Sequence, residues 1–391
     1  MGARVACGLS AGPDGATTDA GRGAAAAAEQ ARAGLGDHPC DLAVVFASGA
    51  HLAAPEVMLE MIHETLRPAA LIGCGAGGVV AGGREVEGGT AIALWVADLG
   101  EGEATTFHAE VHEVDGGFAV GGMPELAGAA GAILLPDPLS FPTDSVLPEL
   151  ARRAPGVPVV GGLSSARTHE GSSALFFGEE VVAGGAVGMR LDGIDVLPCV
   201  SQGASPFGPE LTITAGEGNI IQELAGRPAL PKLREVVEDL PASERAMVAG
   251  GLLLGIVVDS GQPEYRQGDF LVRGLMGGDP QTGAVAVGTM VTPGQVVRLH
   301  ARDADSADRD LRQALHLRRA ALGGATPAGA LVFTCTGRGR GMFDMPDHDA
   351  GALAEGLAGA PVAGFFAAGE IGPVGGGSFL HSFTATVAVF S

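Results

Sequence analysis

The sequence predicts an α/β fold of the mixed α+β kind, with two domains whose mixed parallel and antiparallel sheets are covered by helices. The chain has 391 residues, which is long for a single hydrophobic core. Short apolar runs alternate with helical segments, and several neighbouring runs are separated by turns of hairpin length. The order strand, helix, strand, glycine-rich turn, strand occurs three times, which indicates internally repeated strand-helix-strand-strand units.

The composition indicates a closely packed interior with few aromatic rings. Hydrophobic residues make up 46% of the chain, aromatic residues make up only 4%, and there are 65 glycines. Such a core is built from Val, Leu, Ile and Ala, packed closely where glycine lets two backbones approach each other.

The charge distribution disfavours several classes of function. The formal net charge is −22 and no basic stripe is present, so we expect no nucleic-acid partner. No apolar stretch reaches the roughly 20 residues that a membrane helix needs, and the N-terminus lacks a signal-peptide pattern. The five cysteines are scattered without a CxxC pair, as is typical of reduced thiols. We therefore predict a cytoplasmic protein without membrane insertion.

The first copy follows a strand at residues 4–9 and an alanine-rich helix predicted for residues 16–35. Its helix begins at Pro55, a residue that favours the first helical turn. The copy consists of a buried strand at 41–48, the helix to about residue 66, a strand at 70–73, a glycine turn at 74–78 and a strand at 90–99.

The second and third copies repeat this order. The second has strands at 132–135 and 158–162, a helix at 144–153 between them, and a predicted hairpin of strands 174–177 and 185–191. The third has strands at 331–335, 362–366 and 381–390, with a helix near 349–357. In every copy the second strand is an apolar pair that follows a proline and ends in glycine, namely Gly73, Gly161 and Gly364.

A different region separates the second and third copies. Apolar alternation predicts strands at 196–200, 211–214 and 219–224, followed by a helix at 230–240 and a longer, charged helix at 304–322. We place the domain junction in this region, so that the predicted domains are residues 1–228 and 229–391.

Three local patterns resemble functional motifs without their structural context. Residues 73–78 match GxGxxG, but no helix follows to bind a pyrophosphate. Ser164 lies in a near match to a nucleophile elbow, but a polar loop follows it. His108, Glu110 and His112 share one strand face, which is more typical of a solvated face than of a metal site. We therefore expect neither a metal nor a cofactor.

Reactive and charged side chains gather at the turns of the third copy. Cys335 ends a strand, and Arg338 and Arg340 follow it closely, so the guanidinium groups are expected to lower the pKa of the thiol. Glu370 and His381 could orient or deprotonate that thiol, as in Cys/His/acid sites. The alternative is a small, buried and unreactive strand-end cysteine.

Arg338 is a second candidate for ligand recognition. It lies between Gly337 and Gly339, where a rigid guanidinium fork could bind a carboxylate or phosphate. The alternative is an internal ion pair with Glu370. A loop that contains Gln202, Gly203 and Ser205 is a further candidate for a pocket wall, or else a turn at the domain junction.

The sequence resembles the FIST family, a two-part FIST-N and FIST-C sensory module, over nearly its whole length. The resemblance rests on residues 71–74, 133–140 and 159–162 in the first part. In the second part it rests on Cys335-Thr336-Gly337-Arg338-Gly339, on residues 364–372 and on His381-Ser382-Phe383-Thr384. The C-terminal part is also similar to that of an F-box protein.

The resemblance implies a sensory, signal-transducing protein of bacterial type that binds a small ligand. We expect the ligand to lie near Cys335, Gly337 to Gly339, Glu370 and His381. A free amino acid fits, with its carboxylate on Arg338 and its ammonium on Glu370; a small carboxylate is also considered. Two alternatives are an enzyme with Cys335 as nucleophile and a protein-interaction scaffold. A protein signalling partner is compatible with each, and no feature selects an oligomeric state.

Overall fold

The computed structural model describes residues 2–12, 19–248, 251–258, 264–265 and 268–391. The chain forms two compact units, of which the first comprises Met1–Val200 with Leu311–Ser391 and the second comprises Ser201–Asp310. The predicted domain junction after residue 228 lies inside the second unit. The sequence-based domains and the compact units therefore divide the chain differently.

The helices and strands are short and numerous. The helices are α1 (Ala20–Leu35), α2 (Pro55–Leu66), α3 (Thr143–Arg153), α4 (Ala229–Glu238), α5 (Ala242–Val248), α6 (Ala304–Ala321), α7 (Arg340–Phe343) and α8 (His348–Gly356), with a 3-10 helix at Gly49–Leu52. The first strands are β1 (Arg4–Ala11), β2 (Leu42–Ser48), β3 (Ala70–Gly75), β4 (Gly78–Ala81), β5 (Arg84–Glu87), β6 (Ala91–Asp98), β7 (Glu103–Val114), β8 (Gly117–Gly121), β9 (Gly131–Pro136), β10 (Val159–Gly162), β11 (Leu175–Phe177), β12 (Glu180–Val182), β13 (Ala186–Asp192) and β14 (Val196–Ser201). The remaining strands are β15 (Ala204–Glu217), β16 (Ile220–Leu224), β17 (Arg227–Pro228), β18 (Leu252–Val257), β19 (Phe270–Gly278), β20 (Val285–Val287), β21 (Val296–Arg302), β22 (Gly329–Cys335), β23 (Val362–Ala367), β24 (Glu370–Val374), β25 (Gly377–His381) and β26 (Ala385–Phe390).

Three sheets of the first unit share one strand plan. Their orders are β1-β6-β2-β3-β11-β12, β8-β7-β13-β9-β10-β24-β25 and β14-β26-β22-β23-β4-β5. In each sheet a parallel pair, β2–β3, β9–β10 or β22–β23, is flanked by an antiparallel strand from the same copy. Helices α2, α3 and α8 connect the parallel strands. The predicted mixed α/β fold with internally repeated units is confirmed.

Each copy gives its hairpin to the sheet of another copy. The hairpin β4–β5 of the first copy pairs with β23 of the third. The hairpin β11–β12 of the second pairs with β3 of the first, and β24–β25 of the third pairs with β10 of the second. The predicted hairpin of residues 174–177 with 185–191 is therefore wrong, because these strands belong to two different sheets.

The three glycines that end the apolar pairs have a common steric cause. Gly73, Gly161 and Gly364 lie at equivalent positions of β3, β10 and β23. A Cβ atom added there would lie 2.1, 1.9 and 1.8 Å, respectively, from a carbonyl oxygen of the neighbouring parallel strand. Close approach of the two backbones therefore requires glycine at all three positions.

The core of the first unit joins residues from its first and last segments. Phe46 of β2 stacks on Phe365 of β23, with ring centroids 4.9 Å apart, and Trp95 of β6 lies 5.0 Å from Phe390 of β26. Most of the other residues of this core are Val, Ala, Leu and Ile, as the composition predicts.

The second unit is a closed antiparallel barrel. Its strand order is β15-β21-β18-β19-β20-β16-β17, and the long strand β15 also pairs with β16, which closes the sheet. Helix α4 covers it through Leu233 and Val236. The predicted helix at 230–240 corresponds to α4, and that at 304–322 to α6. The predicted N-terminal helix is α1; residues 16–18 of that prediction lie outside the described residues. None of the described helices is both long and apolar enough to cross a bilayer.

Candidate ligand-binding site

Strand register shows which residues are equivalent in the three copies. Glu370 begins the exchanged hairpin of the third copy and lies opposite Gly162. At the same position the other hairpins carry Val79 and Leu175, both apolar. The third copy therefore places a carboxyl group in a fully buried position that suits a hydrocarbon side chain.

Thr384 holds one of the two carboxyl oxygens of Glu370 by two hydrogen bonds. Oε2 accepts a bond of 3.0 Å from the N–H of Thr384 and one of 2.7 Å from its hydroxyl. Oε1 is buried and has no hydrogen-bond partner of ordinary geometry among the described residues. Burial raises the pKa of Glu370, and the bonds from Thr384, a hydrogen bond with the side chain of Cys335 and the charge of Arg338 only partly oppose this effect. Oε1 therefore lacks the close hydrogen bonds that Oε2 has among the described residues, and the side chain of Cys335 is the neighbour that interacts with this carboxyl group.

Cys335 lies beside this carboxyl group. Its Sγ accepts a bond of 3.4 Å from the N–H of Gly337. Burial, and then the neighbouring Glu370, raise the pKa of Cys335 above that of an ordinary thiol. The predicted lowering of this pKa by nearby arginines is wrong, because desolvation and a carboxyl group act on the thiol more strongly. Cys335 is therefore a protonated thiol at neutral pH.

Arg338 is paired with Asp349, and its charge also lowers the pKa of Glu370, the partner considered as an alternative from the sequence. Nε and Nη2 of Arg338 contact the two carboxylate oxygens at 2.7 and 2.8 Å, with side-chain exposures of 0% and 1%. Thr334 adds a hydroxyl bond of 2.7 Å to the same carboxylate. Burial alone would raise the pKa of Asp349, but the guanidinium outweighs it and lowers this pKa well below its usual range.

Aromatic contacts keep the guanidinium in place. Phe343 of α7 stacks on His348, with ring centroids 3.4 Å apart, and Cζ of Arg338 lies 5.1 Å from the centre of the Phe343 ring. Nδ1 of His348 lies 3.0 Å from a carboxylate oxygen of Asp349. Arg338 is therefore anchored on several sides by its own chain.

Residues of the exchanged hairpin β4–β5 complete this turn. The N–H of Arg340 donates to Glu87 at 2.8 Å, and a Cβ atom added to Gly339 would lie 2.6 Å from the same carboxylate. Oε1 of Glu85 accepts a bond of 2.9 Å from the N–H of Ala350 in the first turn of α8. Burial raises the pKa of Glu85 to about 7. The first copy thus supports the turn and the helix that carry Arg338 and Asp349.

His381 faces Glu370 across the β24–β25 pairing but bonds elsewhere. Its Nε2 donates to the carbonyl of Gly372 at 3.0 Å, and the side chain is buried. The structure therefore brings Cys335 and Glu370 together, whereas the described hydrogen bond of His381 goes to the backbone.

Gln202, Gly203 and Ser205 belong to the second unit. The amide of Gln202 donates to the carbonyl of Phe270 at 2.6 Å and accepts from the N–H of residue 272 at 3.1 Å. The N–H of Gly203 donates to Asp310 at 3.1 Å, and Ser205 lies within β15. Within this unit, Gln202 therefore bonds to β19 and Gly203 bonds to α6.

The three patterns that resemble motifs have structural roles. Residues 73–78 form the crossover from β3 to β4, and the hydroxyl of Ser164 donates to the carbonyl of Gly75 at 2.8 Å. Nε2 of His108 donates to the carbonyl of Gly184 at 2.9 Å. In the described part of the chain, no three His, Cys, Asp or Glu side chains are grouped as a metal site.

Sequence reasoning missed three residues of this site. Asp349 pairs with Arg338, Thr384 fixes Glu370, and Glu85 supports α8 from a distant hairpin. A signal existed only for Thr384, which closes the His381-to-Thr384 segment that carries the family resemblance.

Together, the fold and the buried carboxyl group define a mixed α/β protein built from three repeated units, one of which carries a buried acidic side chain. Models of two domains match the chain, the FIST N domain over residues 41–227 and the FIST C domain over residues 229–373. The chain therefore belongs to the FIST family, as the sequence resemblance indicated. It is 43% identical over 388 residues to an uncharacterized protein of Mycobacterium tuberculosis, and the aligned residues cover 99% of each of the two chains. It is 42% identical over 375 residues to an uncharacterized protein of Mycobacterium bovis, and the aligned residues cover 96% of each of the two chains.

Proposed function

We propose that the protein is a sensory module that binds a small ligand through Glu370. The observation that carries the proposal is the fully buried carboxyl group of Glu370, whose Oε1 has no hydrogen bond of ordinary geometry among the described residues, at a position where the other two copies have Val79 and Leu175. A buried carboxyl group with a weakly paired oxygen costs stability, so its presence in one copy alone favours a function there. FIST domains are consistent with such a sensory, ligand-binding module.

The ligand is expected to carry a hydrogen-bond donor, and a protonated amine fits best. An ammonium group would pair with the ionised form of Glu370 and lower the pKa that burial raises. Asp349 already supplies a carboxylate to Arg338, so that guanidinium positions the site and does not receive the carboxylate of a ligand. Free amino acids remain the first candidates, with the amine as the recognised group. Cytoplasmic location and a protein signalling partner complete the proposal.

A thermal-shift screen over free amino acids, simple primary amines and small carboxylates tests the proposal. A ligand at a concentration 100 times its Kd stabilises a folded protein by about 2.7 kcal/mol, which is easily detected. Compounds with an amine should raise the Tm, and carboxylates without an amine should not. A cooperative melting transition that no amine shifts would reject the proposal.

The raised pKa of Cys335 disfavours the alternative of a thiol enzyme. The rate of Cys335 alkylation against pH separates the two functions, because only a thiolate reacts quickly. A rate that is still rising above pH 9 agrees with a binding protein. A plateau below pH 7 would instead favour the enzyme.

A further inference from the structure

Phe383 has an unusual backbone conformation at the edge of the Glu370 site. Its φ is +62°, a left-handed value that bulky side chains rarely adopt. The residue is 42% exposed, so burial of its ring alone does not explain this conformation. The next residue does explain it, because both the N–H and the hydroxyl of Thr384 are held by Glu370.

The ring of Phe383 covers the turn that follows Cys335. A Cβ atom added to Gly337 would lie 2.5 Å from Cε1 of this ring, so the ring rests directly on the glycine. Below it, the thiol of Cys335 accepts from the N–H of Gly337 and also interacts with the backbone of Phe383. Cys335 is only 6% exposed, although the turn above it, at residues 336 and 337, is at the surface.

We propose that the Phe383 turn is a movable cover over Glu370 and that its opening admits the ligand. The identity of the ligand rests on the proposed function, whereas the cover is a property of the chain alone. A left-handed phenylalanine stores backbone strain, which opening of the turn releases. Thr384 links this turn to Oε2 of Glu370, so a ligand on Oε1 acts on the same carboxyl group that holds the cover.

Alkylation of Cys335 by iodoacetamide, followed by peptide mass spectrometry, measures the cover without any ligand. Cys199 is the internal reference, because it is also 6% exposed. Phe383→Gly removes the ring at a position that suits glycine, and Phe383→Asn keeps a side chain that tolerates the left-handed conformation. Phe118→Asn is the matched control, because Phe118 of β8 is also 42% exposed.

Both Phe383 variants should raise the alkylation rate of Cys335 at least about tenfold and leave the rate of Cys199 unchanged. Phe118→Asn should change neither rate. An unchanged rate at Cys335 would overturn the cover, and so would equal acceleration at both cysteines, since that reports general loosening. If the alkylation rate rises at Cys335 alone but no amine shifts the Tm, the cover is supported and the proposed ligand is rejected.

Discussion

Arg338 and Asp349 form a two-point ion pair whose side chains are both withdrawn from solvent. The pair joins the turn after β22 to the first turn of α8, eleven positions later in the chain. Each charge of the pair neutralises the other. The pair also fixes the turn that carries Gly337, and the charge of Arg338 acts on Glu370. The sequence predicts that Arg338 binds a ligand, whereas in the structure its guanidinium pairs with Asp349 of the same chain.

Removal of one partner of this pair should destabilise the protein strongly. Asp349→Asn leaves the guanidinium buried without its counter-charge, and we expect a loss of about 3–5 kcal/mol in the free energy of unfolding. Urea denaturation measures the loss. Arg312→Ala is the control, because the exposed pair of Arg312 with Glu355 should contribute less than about 1 kcal/mol. Equal losses in the two variants would contradict the assigned role.

Glu85 should make stability depend on pH near neutrality. Its pKa is raised to about 7 in the folded protein, above the value of about 4.3 for an unfolded chain, so the folded state binds the proton more tightly. Stability should therefore fall as the pH rises from about 4 to 7, by on the order of 2 kcal/mol from this group. Glu85→Gln, which keeps an acceptor for Ala350, should remove that slope. Parallel curves of unfolding free energy against pH for the two proteins would contradict the assignment.

The glycine at the end of each second strand should not accept a methyl group. Gly161→Ala would place Cβ 1.9 Å from the carbonyl oxygen of Leu134, and we expect a loss of about 3 kcal/mol or more. Gly351→Ala in α8 is the matched control, since nothing lies within 4 Å of the new atom. That change should stabilise the helix by about 0.5–1 kcal/mol. Chemical denaturation of both variants measures the contrast, and similar effects would contradict the common steric cause.

The hairpin exchange predicts that neither predicted domain folds alone. Residues 1–228 contain β4–β5, which pair with β23, and residues 229–391 contain β24–β25, which pair with β10. Each fragment would leave a hairpin without its sheet and sheet edges without their hairpins. Circular dichroism during thermal melting should show no cooperative transition for either fragment. A native-like transition in either one would contradict the exchange.

The sequence contained enough information for the repeated fold, because each element is locally encoded. Apolar runs, Pro55 at a helix start and the strand-ending glycines are all signals within a few residues. The hairpin exchange was missed because a short strand such as β11 has no local feature that selects its partner. The sequence predicts that residues 174–177 pair with residues 185–191, whereas the structure pairs β11 with β3 and with the nearer strand β12.

The site was only partly predictable for a related reason. Cys335 and Glu370 are neighbours, as the concentration of reactive residues at these turns indicated. Asp349 was missed because its meeting with Arg338 depends on two left-handed residues, Asp344 and Asp347, which shape the turn before α8. The pKa of the thiol was misjudged because burial and the Asp349 counter-charge are not visible in the sequence.

The most direct test of the central claim is calorimetric titration of the best amine from the screen into Glu370→Gln. The amide keeps an acceptor for Thr384 but places an N–H donor where the amine requires an acceptor. We predict at least about 100-fold weaker binding by this variant, with unchanged affinity in Glu355→Gln, an exposed control in the same copy. Binding by Glu370→Gln with the affinity of the original protein would contradict the claim that Glu370 receives the ligand.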